Sequence, residues 1–275
     1  AGAIEPLVAL LHEPTTAAST KEHVPAQQEA AGALSALAAY NTDNQAAIAR
    51  AGAIEPLVEL ARSGGGDAKE AAAAALYNLA ANDGWVRTRI VQAGAIKPLV
   101  ALVRSGSVMG KHRAAAALSN LAAGKAANQA RIVKAGAIEP LVALLHEPTT
   151  AASTKEHVPA QQEAAGALSA LAAYNTDNQA AIARAGAIEP LVELARSGGG
   201  DAKEAAAAAL YNLAANDGWV RTRIVQAGAI KPLVALVRSG SVMGKHRAAA
   251  ALSNLAAGKA ANQARIVKAG AIEPL

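Results

Sequence analysis

The sequence contains no cysteine and no phenylalanine, and only 2% of its 275 residues are aromatic. The absence of cysteine excludes disulfides, thiol catalysis and cysteine-ligated metal sites. A globular core of this size usually depends on large aromatic side chains, so their scarcity argues against one large conventional core. The abundant alanine and leucine instead suit thin layers of closely packed helices, because alanine combines high helix propensity with little bulk.

Long hydrophobic runs are also missing. No uninterrupted apolar stretch approaches the roughly 18 residues that a membrane-spanning helix needs. The first residues lack the charged and apolar regions of a signal peptide. We therefore expect no membrane partner and an intracellular location, in the cytoplasm or the nucleus.

Internal repetition is the dominant feature that the sequence does have. Residues 1–134 recur letter for letter as residues 135–268. Within each copy the phrase Ala-Gly-Ala-Ile-(Glu/Lys)-Pro-Leu-Val returns at intervals of 50, 42 and 42 residues. A 42-residue period is typical of two- or three-helix repeats, and the longer repeat carries an insertion. We predict a single solenoid whose repeats are 1–50, 51–92, 93–134, 135–184, 185–226 and 227–268, with a partial repeat at 269–275.

Each repeat is predicted to contain three helical segments, as in the repeat that begins at Ala93. Pro98 suits the first turn of a helix, where its missing N–H costs nothing, and that helix ends at a Ser-Gly-Ser turn. A second helix is predicted over 111–123, where alanine and leucine recur at helical spacing, and Gly124 ends it. A short third helix is predicted over 128–134. No segment alternates with a period of two over the length of a strand, so the predicted fold class is all-α.

The order of these helices and their repeated phrases resembles the armadillo repeat family. The resemblance is carried by Ala-Gly-Ala-Ile-x-Pro-Leu-Val in one helix and by Leu-Ser-Asn-Leu-Ala in the long helix that follows, and it covers essentially the whole chain. It implies a right-handed superhelical α-solenoid of three-helix repeats, in which the long helices line a concave groove. Each repeat then contacts mainly its neighbours.

The resemblance also implies a peptide-binding surface in that groove. Armadillo proteins that hold extended peptides present a tryptophan and, four residues later, an asparagine on the same face of the long helix. Two of every three repeats keep the asparagine, at Asn78, Asn120, Asn212 and Asn254. The 50-residue repeats have Ala36 and Ala170 instead, and the tryptophan position is glycine or alanine throughout. The same mapping predicts that the groove is also lined by Tyr77, Tyr211, Arg113, Arg247, Glu29 and Glu163.

Two interpretations of the asparagines remain open at this point. An asparagine ladder could align a peptide backbone, although it would bind weakly without aromatic anchors. Alternatively, the asparagines form hydrogen bonds only within the solenoid.

Charge is distributed unevenly over the repeats. The net charge is +5, but residues 93–134 carry seven lysines and arginines and no acid, whereas residues 1–50 carry two bases and five acids. Alternating blocks of opposite sign suit contacts between repeats or between chains at least as well as contacts with a polyanion. Stacking aromatics and known nucleic-acid modules are missing, and we assign Trp85 and Trp219 to packing, so nucleic acid is not an expected partner.

The sequence contains no residue pattern that is typical of a catalytic or metal site. The histidines lack metal-ligand spacing, the carboxylates are scattered, and the segment around Gly110 lacks the serine or threonine and the preceding strand of a phosphate-binding loop. We predict no enzyme activity, no metal site and no cofactor. The insertion at 12–25, which contains two prolines, is predicted to form a surface loop that is either functional or simply tolerated.

Two functions follow from these observations. The first is a protein-interaction scaffold that binds an extended peptide or a partner protein along its concave face. The second is a structural solenoid that assembles head to tail into a rod, because identical units and complementary ends suit an open, non-closing interface. The identity of the copies indicates either an engineered sequence or part of a recently duplicated longer array.

Overall fold

The computed structural model describes residues 2–13, 23–147 and 160–271. Over these ranges the chain forms eighteen α-helices and no β-strand, which confirms the predicted all-α class. The helices are divided between two compact units, Ala1–Ala135 and Gly136–Leu275. No helix in the described ranges has both the length and the apolar character needed to cross a membrane.

The first unit contains three kinds of helix. The proline helices, each with a proline in its first turn, are α1 (Ile4–Leu11), α4 (Ile54–Ser63) and α7 (Ile96–Ser105). The long helices are α2 (His23–Ala38), α5 (Gly66–Leu79) and α8 (Val108–Ala122). The short helices are α3 (Thr42–Arg50), α6 (Gly84–Gln92) and α9 (Ala126–Lys134).

The second unit repeats this series. Its proline helices are α10 (Ile138–Leu145), α13 (Ile188–Ser197) and α16 (Ile230–Ser239). Its long helices are α11 (Ala160–Ala172), α14 (Gly200–Leu213) and α17 (Val242–Ala256). Its short helices are α12 (Thr176–Arg184), α15 (Gly218–Gln226) and α18 (Ala260–Lys268).

Within the first unit the long helices pack side by side, α2 against α5 and α5 against α8, and each proline helix packs on the long helix that follows it. In α5 the residues that face these neighbours include Ala72, Ala73 and Ala75, all completely buried. Their small side chains allow the close approach of helix axes that the scarcity of aromatics predicts. Leu76 and Leu79 are also fully buried and are the largest fully buried side chains of the helix.

The helix boundaries differ from the predicted ones at two places. The long helix α8 begins at Val108, three residues before the predicted start, because the Ser107 hydroxyl caps it by accepting the Gly110 N–H at 3.0 Å. Val108 is 63% exposed, so the first turn carries no apolar pattern that would reveal it. The following short helix begins at residue 126 rather than 128. Gly124 ends α8 with φ +68°, a left-handed conformation that favours glycine, as predicted.

Most of the surface loop predicted over residues 12–25 lies outside the described residues, but residues 23–25 belong to α2, so the prediction is wrong for that end of the loop. At its described edge, the Gln27 side chain donates a hydrogen bond to the Glu13 carbonyl at 3.0 Å. The union of all the repeats in one solenoid stays a prediction.

Candidate functional site

Each long helix leaves one stripe accessible to solvent. In α5, Ala71, Ala74 and Asn78 lie three and four residues apart and are partly exposed, while Ala72 and Leu76 between them are buried. The equivalent residues are Glu29, Gly32 and Ala36 in α2 and Arg113, Ala116 and Asn120 in α8, where Ala116 differs from the others in being buried. We call these nine residues the long-helix face of the first unit. The second unit has the equivalent face, in which Ala208 is buried; it is formed by Glu163, Gly166, Ala170, Ala205, Ala208, Asn212, Arg247, Ala250 and Asn254.

Small residues occupy the middle of this face. The positions where the armadillo resemblance implies tryptophan are Gly32, Ala74 and Ala116, and no side chain there extends beyond Cβ. The face is therefore a smooth strip, with charged or small residues on one side and the asparagine positions on the other. A polypeptide backbone can approach Gly32 and Ala74 closely, because both are partly exposed and neither has a side chain beyond Cβ, whereas Ala116 is buried.

The predicted asparagines connect neighbouring long helices. Asn78 Nδ2 of α5 donates to the carbonyl of Ser35 at 3.0 Å and to its hydroxyl at 2.9 Å. Asn120 Nδ2 of α8 donates to the carbonyl of Tyr77 at 3.1 Å. Asn212 and Asn254 repeat these contacts in the second unit with Ser169 and Tyr211 as acceptors. Hydrogen bonding within the solenoid is therefore real, as one of the two interpretations required.

The same contacts determine which atom of each side-chain amide is left for a hydrogen bond to a ligand. A carbonyl oxygen only accepts, so the atom that faces Ser35 or Tyr77 must be the amide nitrogen. Among the described residues, no donor reaches the Oδ1 atoms of Asn78 and Asn120, and neither oxygen is an unsatisfied buried atom. Each asparagine thus holds two helices together through Nδ2, while its Oδ1 has no donor among the described residues and is not fully buried.

The charged residues of the face are available as well. Glu29 is exposed and Arg113 is half-buried, and within the described residues neither side chain forms an ion pair or a hydrogen bond. Tyr77, also predicted to line the groove, is half-buried and contributes its backbone carbonyl to the α5–α8 contact. In the second unit, Glu163 is half-buried and accepts a long hydrogen bond of 3.4 Å from Gln162.

Two functional features escaped the sequence reasoning. One is the acceptor role of Ser35, which lies 43 residues before its donor Asn78. The other is Lys125, whose Nζ donates to the Gly84 carbonyl at 3.0 Å and to the Thr88 hydroxyl at 2.5 Å, joining α9 to α6. Alignment of the repeats would have shown that Lys125 occupies the position of the cap residues Asn41 and Asp83, where a lysine is unusual. Over the described part of the chain, no cluster of three or more histidine, aspartate or glutamate residues is suited to a metal ion.

Comparison with known proteins supplies independent information about this arrangement. The family model of the armadillo/beta-catenin-like repeat matches residues 41–81, 86–123, 175–215 and 220–257. The first match runs from the start of a short helix, through a proline helix, to the end of a long helix. No curated protein sequence matches the chain.

Several solved structures are similar over almost the whole chain. An engineered protein from the Northeast Structural Genomics Consortium is 31% identical, with a TM-score of 0.80, over 94% of this chain and 100% of the other. One of a set of computationally designed armadillo repeat proteins for modular peptide recognition is 28% identical, with a TM-score of 0.76, over 91% and 99%. A designed armadillo repeat protein in complex with the peptide (KR)4 is 26% identical, with a TM-score of 0.76, over 92% and 100%.

Proposed function

Because this chain belongs to the armadillo/beta-catenin-like repeat family, we propose that it is a non-catalytic scaffold that binds an extended peptide, or an extended segment of a partner protein, along the long-helix face. The observation that carries the proposal is the row of asparagines whose Nδ2 atoms are held by the neighbouring helix while their Oδ1 atoms stay accessible. An extended peptide presents unpaired backbone N–H groups, which are the donors that these oxygens lack.

The spacing of the face suits an extended backbone. Packed helices lie about 8–10 Å apart, and an extended chain advances about 3.3 Å per residue. One repeat therefore corresponds to about three peptide residues. The small, partly exposed residues Gly32 and Ala74 allow a backbone to approach this part of the long-helix face closely.

The similar designed proteins support this function in two ways. One of them was designed for modular peptide recognition, and another was solved with the peptide (KR)4. Their similarity extends over more than 90% of this chain. The absence of aromatic anchors on the long-helix face predicts weaker binding than a face with tryptophans would give.

The proposal is tested by titrating fluorescently labelled peptides of about ten residues, one of them neutral and rich in threonine and serine and another (KR)4, while fluorescence anisotropy is followed. Substituting alanine for Asn78, Asn120, Asn212 and Asn254 together should weaken the binding of peptides at least about tenfold, because each lost hydrogen bond contributes about 1 kcal/mol. Circular dichroism should show that the variant is still helical at the temperature of the titration.

A matched control distinguishes the loss of the asparagine Oδ1 acceptor from the loss of the hydrogen bond between the two long helices. Ser35→Ala combined with Ser169→Ala removes the hydroxyl partners of Asn78 and Asn212 but leaves their Oδ1 atoms in place. We expect this variant to bind within about twofold of the parent, because the groups that would contact the peptide are retained. A folded four-alanine variant that binds as well as the parent would contradict the proposal. Head-to-tail self-association stays a separate prediction, which light scattering at several concentrations measures.

A further inference from the structure

The charge of the long-helix face changes along each unit in a fixed order. At the position seven residues before the asparagine position, the first unit has Glu29, then Ala71, then Arg113. The second unit has Glu163, Ala205 and Arg247 at the same positions. Each unit therefore presents an acidic, a neutral and a basic position in succession along neighbouring long helices.

Other polar residues at this end of the long helices are used inside the unit. Gln27 donates to the Glu13 carbonyl, and Glu70 accepts a hydrogen bond from the Ser107 hydroxyl of the next repeat. Glu29 and Arg113 have no such partner among the described residues. Both charges remain accessible on the face that would contact a peptide, where they carry no structural role in the described contacts.

The distance between Glu29 and Arg113 sets how many peptide residues would separate the two charges of a matching ligand. Glu29 and Arg113 lie on long helices two repeats apart, which corresponds to about 20 Å at the usual helix spacing. An extended peptide covers that distance in about six residues. A peptide on this face would meet a negative charge at one end of the interval and a positive charge at the other.

We propose that the preferred ligand is a bipolar extended segment, with a lysine or arginine opposite Glu29 and an aspartate or glutamate about six residues away opposite Arg113. This inference rests on the proposed peptide-binding function and adds a charge order to it. The same positions recur at Glu163 and Arg247, but Glu163 is half-buried and already accepts a hydrogen bond from Gln162, so a segment of this kind should bind there less tightly. A uniformly basic peptide such as (KR)4 would instead be repelled by Arg113 and Arg247.

The test uses the full chain and two labelled peptides of identical composition. Each is a threonine- and serine-rich peptide of about ten residues with one lysine and one glutamate about six positions apart. They differ only in which charge comes first. The proposal includes a single direction of the bound backbone along the face, so the parent chain should bind one order about tenfold more tightly than the other in low salt. The difference should shrink as salt is added, since the charges are accessible to solvent.

Reversing the charges of the protein provides the decisive variant. Glu29→Arg and Glu163→Arg together with Arg113→Glu and Arg247→Glu should make the chain prefer the opposite peptide order. A second variant with glutamine at all four positions should bind both peptides equally. It serves as a control if the reversed variant is destabilised, since it introduces no new charge.

The outcomes separate this inference from the function on which it rests. Equal binding of both peptides to the parent, still weakened by the four asparagine-to-alanine substitutions, would overturn the charge order and leave peptide binding intact. The same peptide preference in the parent and in the reversed variant would also overturn it. If the parent bound neither these peptides nor the neutral one, both proposals would fall.

Discussion

The junction between α2 and α5 and the junction between α5 and α8 share one mode of helix packing but differ in their polar contacts. In both, alanine-rich long helices lie side by side, and an asparagine of the later helix donates to the earlier one. At the first junction Asn78 has two acceptors on Ser35. At the second junction Asn120 has one, the Tyr77 carbonyl, because tyrosine replaces the serine that supplies a hydroxyl at the first.

At the short helices the second junction, rather than the first, has the stronger polar contacts. At the first junction, Asn82 Nδ2 lies 3.4 Å from Gln45 Oε1, which is long for a hydrogen bond. At the second junction, the Lys125 ammonium donates to two oxygens of α6. Asn41, at the position equivalent to Lys125, caps its own helix by accepting the Asn44 N–H at 3.0 Å. Lys125 gives no such cap to α9.

The comparison shows how an array of repeats divides its contacts. Buried alanine and leucine keep the spacing of the long helices alike, whereas one polar position can serve either the helix that carries it or the neighbouring repeat. Since the stability of a solenoid is approximately a sum of repeat and junction terms, such exchanges decide which junction opens first. The two junctions can therefore be altered separately.

The largest effect is expected at Lys125. Replacing Lys125 and its copy Lys259 by methionine keeps most of the apolar stem and removes the charge-assisted hydrogen bonds to α6 and α15. We expect a loss of about 2 kcal/mol per junction, because hydrogen bonds that involve a charged group contribute about 1.5–3 kcal/mol and Lys125 is only partly buried. Urea unfolding followed by circular dichroism measures the total, and hydrogen exchange shows which helices open.

Asparagine at the same two positions is the matched control. Lys125→Asn and Lys259→Asn also lose the contact with the preceding short helix, but each can cap its own helix as Asn41 does. A good cap contributes about 1 kcal/mol, so the asparagine variant should lose only about half as much stability as the methionine variant. Equal losses in the two variants would show that capping does not compensate for the lost junction contact.

An equal or smaller effect is expected from the asparagine ladder. Asn78→Ala with Asn212→Ala should cost about 2 kcal/mol per junction, and Asn120→Ala with Asn254→Ala about 1 kcal/mol, because the first pair loses twice as many hydrogen bonds. Thermal and urea unfolding of the two double variants give the difference. Ser35→Ala should reduce the cost of Asn78→Ala in a double-mutant cycle, since the two side chains share a contact. Identical losses for the two asparagine pairs would mean that the serine hydroxyl adds nothing.

The sequence predicts the pattern that generates both junctions better than it predicts their differences. The all-α class and the three helices of each repeat follow from the spacing of alanine, leucine, proline and glycine. The polar contacts do not, because Asn78 and Lys125 meet groups about 40 residues away, and half of those groups are backbone carbonyls that have no identity in the sequence. For the same reason the sequence left two interpretations of the asparagines open. The structure shows the internal hydrogen bond, and peptide binding through the opposite end of the amide remains the proposal.

The candidate site is likewise predicted from the sequence only in part. The alignment of Glu29 with Arg113 is visible in the sequence, because both lie seven residues before the asparagine position. That neither side chain has a partner among the described residues of the unit depends on the positions of neighbouring helices, which only the three-dimensional structure supplies.

The smallest effect is expected at the turn that precedes each short helix. Tyr40 has φ +56° and is fully exposed, whereas Gly124, at the same position of the third repeat, has φ +68°. A left-handed backbone is unfavourable for tyrosine and favourable for glycine. Tyr40→Gly with Tyr174→Gly should therefore raise the melting temperature by roughly 2 °C, reduced by the greater freedom of glycine in the unfolded chain. Differential scanning calorimetry measures the change.

Alanine at the same turn distinguishes the cost of the left-handed backbone from the cost of the exposed aromatic ring. Tyr40→Ala with Tyr174→Ala removes the exposed aromatic ring but keeps a Cβ atom in the left-handed conformation, so it should not raise the melting temperature. If alanine stabilised the chain as much as glycine, exposure of the ring rather than the backbone conformation would be the source of the cost. If neither variant were more stable, Tyr40 would form a contact that compensates for its conformation, and the first and third turns would be equivalent despite their different residues.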